Sequence, residues 1–129
     1  MEPHCKLWLE EDGKVAMSDY RLQLLQCVDE TGSLAAAAKQ MDLSYRRAWG
    51  KIRDIEKCLG LQLVASVSGG ANGGGSRLTP EGADIIRSYQ RFSARAREAV
   101  AQSYRAEFSR WRAGRPASVA KPRSEAACE

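Results

Sequence analysis

An alanine block set between two serines most constrains how this chain can fold. Ser33 precedes the apolar run Leu34–Ala38, and Ser44 precedes a second helical segment shortly afterwards. A serine hydroxyl in such a place accepts hydrogen bonds from the free amides of a first helical turn. Between the two segments, Asp42-Leu43 is typical of a turn that tucks the leucine inward. The pattern predicts two short helices joined by a tight turn.

The second helix is predicted to be amphipathic. Its apolar side chains recur at intervals of three and four residues and form one buried face: Ala48, Trp49, Ile52, Ile55 and Leu59. Gly60 is placed to end the helix in the left-handed conformation. Polar and small residues lie on the opposite side, with paired arginines near the helix start. These features are typical of a helix-turn-helix whose second helix enters a DNA major groove. We expect DNA contacts from Ser44, Tyr45, Arg46, Arg47 and Lys51.

A β-hairpin and a further helix are predicted before this motif. Residues 6–10 are predicted to form the first strand, Asp12-Gly13 is a strong turn signal, and residues 15–17 form the return strand. Ser18 or Asp19 then caps a helix that completes a three-helix core.

A glycine-rich segment separates two short strands predicted after the second helix of the motif. Residues 61–67 form the first strand and residues 77–79 the second, which is the arrangement of the wing in a winged helix. A Walker phosphate loop would need a Gly-Lys-Ser/Thr sequence that opens a helix, and the segment contains none. We expect Asn72 in the wing and Arg77 at its base to contact DNA phosphates or the minor groove.

A long helix is predicted after the wing. Thr79-Pro80-Glu81 combines a hydroxyl cap, a proline at the first helical position and an acid near the positive end of the helix dipole. The helix is expected to reach about Trp111, with an apolar stripe longer than a three-helix core can cover. By the logic of coiled coils this stripe is a dimerisation surface, formed by Ile85, Tyr89, Phe92, Ala96, Val100 and Tyr104. The competing interpretation is that the helix folds back on its own domain.

The fold class predicted is mainly α with small β: a winged helix-turn-helix with an N-terminal β-hairpin and a long C-terminal dimerisation helix. The length of 129 residues fits one domain with a single core. We place the domain at residues 1–112, with its dimerisation helix at about 80–112. Residues 113–129 lose periodicity and are predicted to be a disordered tail.

Basic charge is concentrated in the later part of the chain. Residues 1–30 carry three basic and seven acidic side chains, a net charge of −4. Because the whole chain has a net charge of +4, residues 31–129 carry a net charge of +8. This asymmetry suits a polyanionic partner, although a solvated basic face has the same pattern. No stretch approaches the length of a membrane span, and the N-terminus lacks the apolar run of a signal peptide. We expect a cytoplasmic protein with no membrane partner.

The residues do not indicate catalytic, metal or cofactor chemistry. The four cysteines are scattered without a C-x-x-C pair, and Cys27 and Cys58 fall in helical patterns typical of buried fillers. His4 is the single histidine, so neither a metal site with Cys5 nor a Cys–His catalytic pair is supported. We expect a protein that is not an enzyme and has no cofactor.

Several motifs together resemble the N-terminal DNA-binding domain of the ModE family, the molybdate-responsive transcription regulators. The resemblance extends from about Leu7 to Phe108. Its motifs are residues 30–34 (Glu-Thr-Gly-Ser-Leu), 43–49 (Leu-Ser-Tyr-Arg-Arg-Ala-Trp), the glycine-rich wing 69–75 and 78–82 (Leu-Thr-Pro-Glu-Gly). The chain is more distantly similar to the LysR-type winged helix.

The resemblance implies a homodimeric winged helix that binds a palindromic operator in double-stranded DNA. It implies recognition by the helix that starts at Ser44 and phosphate contacts from the wing. Full-length members of the family carry C-terminal oxyanion-binding modules, and nothing after Gly114 matches one. We therefore expect this chain not to bind molybdate by itself.

The leading hypothesis is a sequence-specific DNA-binding transcriptional regulator of the ModE type. The alternative is a winged helix that serves as a protein-interaction module or binds DNA without sequence preference, because a fold alone does not determine function.

Overall fold

A computed structural model describes residues 1–67 and 75–113 of the protein. Its elements in chain order are β1 (Trp8–Glu11), β2 (Lys14–Ser18), α1 (Asp19–Thr31), α2 (Leu34–Gln40), α3 (Tyr45–Leu59), β3 (Val64–Val67), β4 (Gly75–Leu78) and α4 (Pro80–Ala113). The strands form two antiparallel pairs, β1 with β2 and β3 with β4. The predicted architecture of a winged helix with an N-terminal hairpin and a long C-terminal helix is confirmed.

The hairpin leads directly into α1. Asp12 and Gly13 both have positive φ, 52° and 79°, which matches the right-handed twist of a two-residue turn. Ser18, one of the two candidates, caps α1: its hydroxyl accepts from the backbone N–H of Arg21 at 3.2 Å. The Arg21 guanidinium reaches back to the carbonyl of Val15 at 2.6 Å and so ties the helix to β2.

Serine caps fix the two helices of the motif as predicted. The Ser33 hydroxyl accepts from the N–H of Ala36 at 3.0 Å at the start of α2. The turn between the helices has Asp42 at a φ of 58°, and the N–H of Leu43 donates to the carbonyl of Ala38 at 2.8 Å. Leu43 packs against the core, and Gly60 ends α3 in the left-handed region with a φ of 68°.

The chain forms two compact units. One comprises Lys6–Ala96 and contains the hydrophobic core. This core joins α1, α2, α3, the end of β2 and the first turns of α4 around Met17, Leu24, Leu25, Val28, Leu34, Ala37, Ala48, Ile52, Ile55, Leu63 and Tyr89. The other unit combines Met1–Cys5 with the part of α4 from Arg97 onward. Within it the Tyr104 hydroxyl donates to the carbonyl of Met1 at 2.8 Å.

The wing strands differ from their predicted bounds. Of the predicted strand over residues 61–67, only Val64–Val67 forms a strand, β3. At its start the Glu56 carboxylate accepts from the N–H groups of Leu63 and Val64 at 2.9 and 3.2 Å. The Glu56 side chain therefore satisfies the amide of Leu63, which a longer strand would pair with a neighbouring strand. At the far side, Gly75 belongs to β4, where it pairs with Val67, and not to the tip.

The C-terminal boundary also moves slightly. Thr79 caps α4, since its hydroxyl accepts from the N–H of Gly82 at 2.9 Å, and the helix continues through Ala113. Ala113 is therefore helical rather than part of the predicted tail, and residues 114–129 lie outside the described part of the chain. None of the helices in residues 1–67 and 75–113 is both long and apolar enough to cross a membrane.

Candidate nucleic-acid interface

The start of α3 is a rigid, capped helix end. The Ser44 hydroxyl accepts from the N–H of Arg47 at 3.1 Å, while the Ser44 carbonyl accepts from the N–H of Ala48 at 3.0 Å. Behind this end, Ala48 and Ile52 have no exposed surface. The helix start is thus held by a cap on one side and by the core on the other, so its outward side chains are presented on a fixed frame.

The outward face of α3 begins with an aromatic ring and two guanidinium groups. Tyr45 is 54% exposed, and both Arg46 and Arg47 are exposed. These are the sequence-predicted residues with the geometry of a recognition helix, in which the first turn meets base edges and phosphates. The Ser44 hydroxyl is exposed, although its hydrogen bond to Arg47 already gives it a structural role.

Lys51 has a different environment from the two arginines. It is half-buried, and its ammonium lies 5.2 Å from the centroid of the Tyr20 ring at the start of α1. A cation in this position is attracted to the ring and is restrained by it. Lys51 is therefore at the margin of the exposed face of α3, where it is placed by α1.

Sequence reasoning missed two cations on the same helix. Arg53 is exposed, and its guanidinium carbon lies 5.2 Å from the centroid of the half-buried Trp49 ring. Lys57 is exposed one turn further on. The signal was present, because Arg46, Gly50, Arg53 and Lys57 follow one another at intervals of four, three and four residues. That spacing defines one face of a helix.

The wing is fixed to the helix-turn-helix at its base. Arg77 lies exposed in β4 opposite Ala65 of β3. The neighbouring N–H of Ser76 donates at 3.0 Å to the carbonyl of Gly32, the residue that ends α1. Arg77 is accordingly held in the same unit as α3. Asn72 and the predicted glycine tip lie outside the described residues.

Part of the predicted dimerisation stripe belongs to the core instead. Tyr89 is only 2% exposed, and its hydroxyl donates to the carbonyl of Leu7 at 3.0 Å, so the ring is not free to meet a second copy. Ile85 is half-buried against the same core. The reason is that the first turns of α4 cover the three-helix core, as the fold-back interpretation held for this part of the helix. Phe92, by contrast, is 42% exposed, and Ala96 is half-buried.

The unit formed by Met1–Cys5 and the later part of α4 contains the remaining residues of the stripe. Val100 and Tyr104 are half-buried there. The Tyr104 ring stacks on Phe108 with centroids 5.5 Å apart, and Phe108 and Trp111 are 41% and 56% exposed. Large apolar side chains thus remain at the surface along this part of α4.

The described residues contain no group of three or more side chains able to hold a metal ion.

Cys27 is buried as predicted, and its burial, assisted by the nearby Glu30 carboxylate, raises the pKa of its thiol. Cys58 is only half-buried, and its thiol donates to the carbonyl of Val15.

A family model and several named proteins match this chain. Residues 20–83 match the model of bacterial regulatory helix-turn-helix proteins of the lysR family. The molybdenum transport protein ModE of Azotobacter vinelandii is 38% identical over 85 residues, which are 66% of this chain and 32% of that protein. The DNA-binding transcriptional dual regulator ModE of Escherichia coli K12 is 32% identical over 89 residues, 69% of this chain and 34% of that protein. The chain spans about a third of the length of these relatives.

Solved structures give the same fold. A complex of the CbnR DNA-binding domain with DNA covers 70% of this chain and 98% of its own, with 26% identity and a TM-score of 0.52. A complex of the BenM DNA-binding domain with the benA site 1 DNA covers 77% of this chain at 21% identity and a TM-score of 0.51, a likeness of fold alone. The resemblance to ModE, and more distantly to the LysR-type winged helix, is therefore confirmed for the helix-turn-helix region.

Proposed function

We propose that the protein is a sequence-specific, homodimeric DNA-binding transcriptional regulator of the ModE type, because residues 20–83 match the model of lysR-family bacterial regulatory helix-turn-helix proteins and 85 residues are 38% identical to a ModE protein. The observation that carries this proposal is the pair Arg46 and Arg47, exposed at the capped start of a helix whose other face is locked in the core. Two of the similar proteins are named as transcriptional regulators, which supports this proposal.

Recognition would follow from the chemistry of the α3 face. A guanidinium can donate two hydrogen bonds to the O6 and N7 atoms of guanine, so Arg46 and Arg47 are the residues proposed to read bases. Tyr45 adds a hydroxyl and an apolar ring beside them. Arg53 and Lys57, further along the helix, suit phosphate oxygens that fix the position of the helix on the duplex.

The wing and the cap supply further contacts in this proposal. Arg77 at the base of the wing is a cation for the DNA backbone, and Asn72 remains a candidate from the sequence alone. The Ser44 hydroxyl is proposed to donate a hydrogen bond to a phosphate. Its oxygen accepts from the backbone N–H of Arg47, and its own O–H remains available as a donor. Lys51, restrained by Tyr20, is proposed to contact a phosphate at the margin of the groove.

Dimerisation is proposed to use the apolar surface of α4 that the core leaves exposed. In the unit Lys6–Ala96 the proposed contacts are Phe92 and Ala96, and in the other unit they are Val100 and Tyr104. A two-fold dimer presents two copies of α3, which explains why a palindromic operator is expected. A protein that binds duplex DNA must also share a compartment with it, so the cytoplasm is part of the proposal.

The test is selection of bound duplexes from a random pool by the purified protein, followed by titration of the enriched site over a range of salt concentrations. We expect an enriched palindrome and a steep fall of affinity with salt, because each neutralised phosphate releases counterions. Enrichment of no sequence beside a steep salt dependence would indicate non-specific DNA binding. No binding at low salt would favour a protein-interaction module. Parallel selections with and without molybdate test whether the selected site or its affinity depends on the anion.

A further inference from the structure

A glycine occupies the middle of α3 on its exposed face. Gly50 is the sixth of fifteen helical residues and is exposed. Glycine in a helix interior loses more backbone freedom on folding than alanine does, which lowers the folding equilibrium constant about two- to fivefold. A glycine at an exposed helical position therefore costs stability that an alanine would not.

Nothing around Gly50 in the described part of the chain excludes a side chain there. Its backbone is in ordinary helical conformation, and a Cβ added there would meet no atom within 4 Å. Gly82 differs, because a Cβ on it would collide with the carbonyl of Leu63. Gly32 and Gly60 differ as well, since they occupy left-handed helix ends. Neither packing nor backbone conformation within the described part of the protein therefore requires a glycine at position 50.

Three arginines surround Gly50 on the surface of α3. Arg46 and Arg47 precede it by four and three residues, and Arg53 follows it by three, so all three are its neighbours on the helix surface. All three side chains are exposed. Gly50 is thus a position without a side chain that is flanked on the helix surface by three exposed arginines.

We propose that Gly50 is a specificity-determining residue at which the floor of the DNA major groove approaches the backbone of α3. This inference rests on the proposed function. Base edges, including the methyl group of thymine, project into the groove, and a helix without a side chain at its point of closest approach can lie deeper between them. The deeper position would bring the flanking arginines within reach of base edges rather than of phosphates alone.

Substitution of Gly50 should change the stability of the protein and its affinity for DNA in opposite directions. Gly50→Ala and Gly50→Leu should both raise the melting temperature, by about 2–6 °C, because alanine and leucine favour a helix. The same variants should bind the selected duplex more weakly, by at least about fivefold for alanine and further for leucine, as the side chain holds the helix away from the bases. Affinity for an unrelated duplex at low salt should change less, since phosphate contacts dominate there.

Ala94→Leu is the matched control, because it extends an exposed side chain on α4 of the same unit. It should leave affinity for the selected duplex unchanged. If both Gly50 variants bound the selected duplex as tightly and as selectively as the unaltered protein, the inference would be overturned while the proposed function stood. If the unaltered protein bound no duplex, the proposed function would fail and this inference with it.

Discussion

Gly75 lies against the carbonyl oxygen of Gly32, so close that a Cβ on Gly75 would be 2.7 Å from that oxygen. The same oxygen accepts a hydrogen bond from the N–H of Ser76 at 3.0 Å. Gly32 also ends α1, with a φ of 73°, just before Ser33 caps α2. One backbone carbonyl therefore joins the base of the wing to the turn that opens the helix-turn-helix.

Gly75→Ala should break this junction. The added methyl group meets backbone rather than a flexible side chain, so β4 must move, at a cost of about 1–3 kcal/mol in the free energy of unfolding. Denaturant titration followed by circular dichroism measures this cost. Ser76→Ala retains the backbone N–H and is the control, with an expected change within about 0.5 kcal/mol. An unchanged unfolding midpoint for Gly75→Ala would mean that the wing base is not held in this position.

Ser44 is proposed to have two roles, and two substitutions separate them. Ser44→Ala removes the acceptor for the N–H of Arg47 and should cost about 1 kcal/mol of stability. Ser44→Asp keeps a good cap and should preserve stability, yet it adds a negative charge at the surface proposed to meet phosphates. Thermal unfolding and DNA titration of both variants check the expectation. Full affinity of Ser44→Asp for the selected duplex would exclude Ser44 from the interface.

Arg46→Ala and Arg47→Ala are each expected to cost about 1–3 kcal/mol of DNA-binding free energy if the side chain reads a base. Discrimination at the base that it contacts should fall as well. Both side chains are exposed, so the melting temperature should hardly change. Arg87→Ala is the control, because Arg87 is an exposed arginine on α4 and not on α3. Its Nη2 atom lies 3.6 Å from Oδ1 of Asp84. Undiminished affinity in the Arg46/Arg47 double variant would contradict the assignment of α3 as the recognition helix.

Local chemistry explains why so much of the fold was predictable from sequence. Ser33, Ser44 and Gly60 act on residues within four positions of themselves, and their caps were confirmed. The Asp12-Gly13 turn acts at equally short range. The outward face of α3 was predictable for the same reason, since helical periodicity places Arg46 and Arg47 opposite the buried Ala48 and Ile52.

Two other features that were missed depend on contacts that helical periodicity does not reveal. The Glu56 carboxylate accepts from the N–H groups of Leu63 and Val64 at the start of β3, and no periodicity signals a carboxylate in this position. The Tyr89 hydroxyl reaches the carbonyl of Leu7, 82 positions earlier. An apolar stripe on a helix does not by itself distinguish the part that covers its own core from the part left for a partner.

Tyr89 and Phe92 are neighbours on α4, with ring centroids 5.9 Å apart, yet they are expected to serve different purposes. Tyr89→Phe keeps the buried ring and removes the hydroxyl that donates to Leu7, so stability should fall by about 0.5–1.5 kcal/mol with no change in the dimer. Phe92→Glu places a charge on an exposed ring position and should leave the protomer folded while it weakens self-association. Sedimentation equilibrium over a range of concentrations, beside thermal unfolding, measures both effects. Dissociation by Tyr89→Phe, or an intact dimer of Phe92→Glu, would contradict this division, because the first would place the buried ring at the interface and the second would remove the exposed one from it.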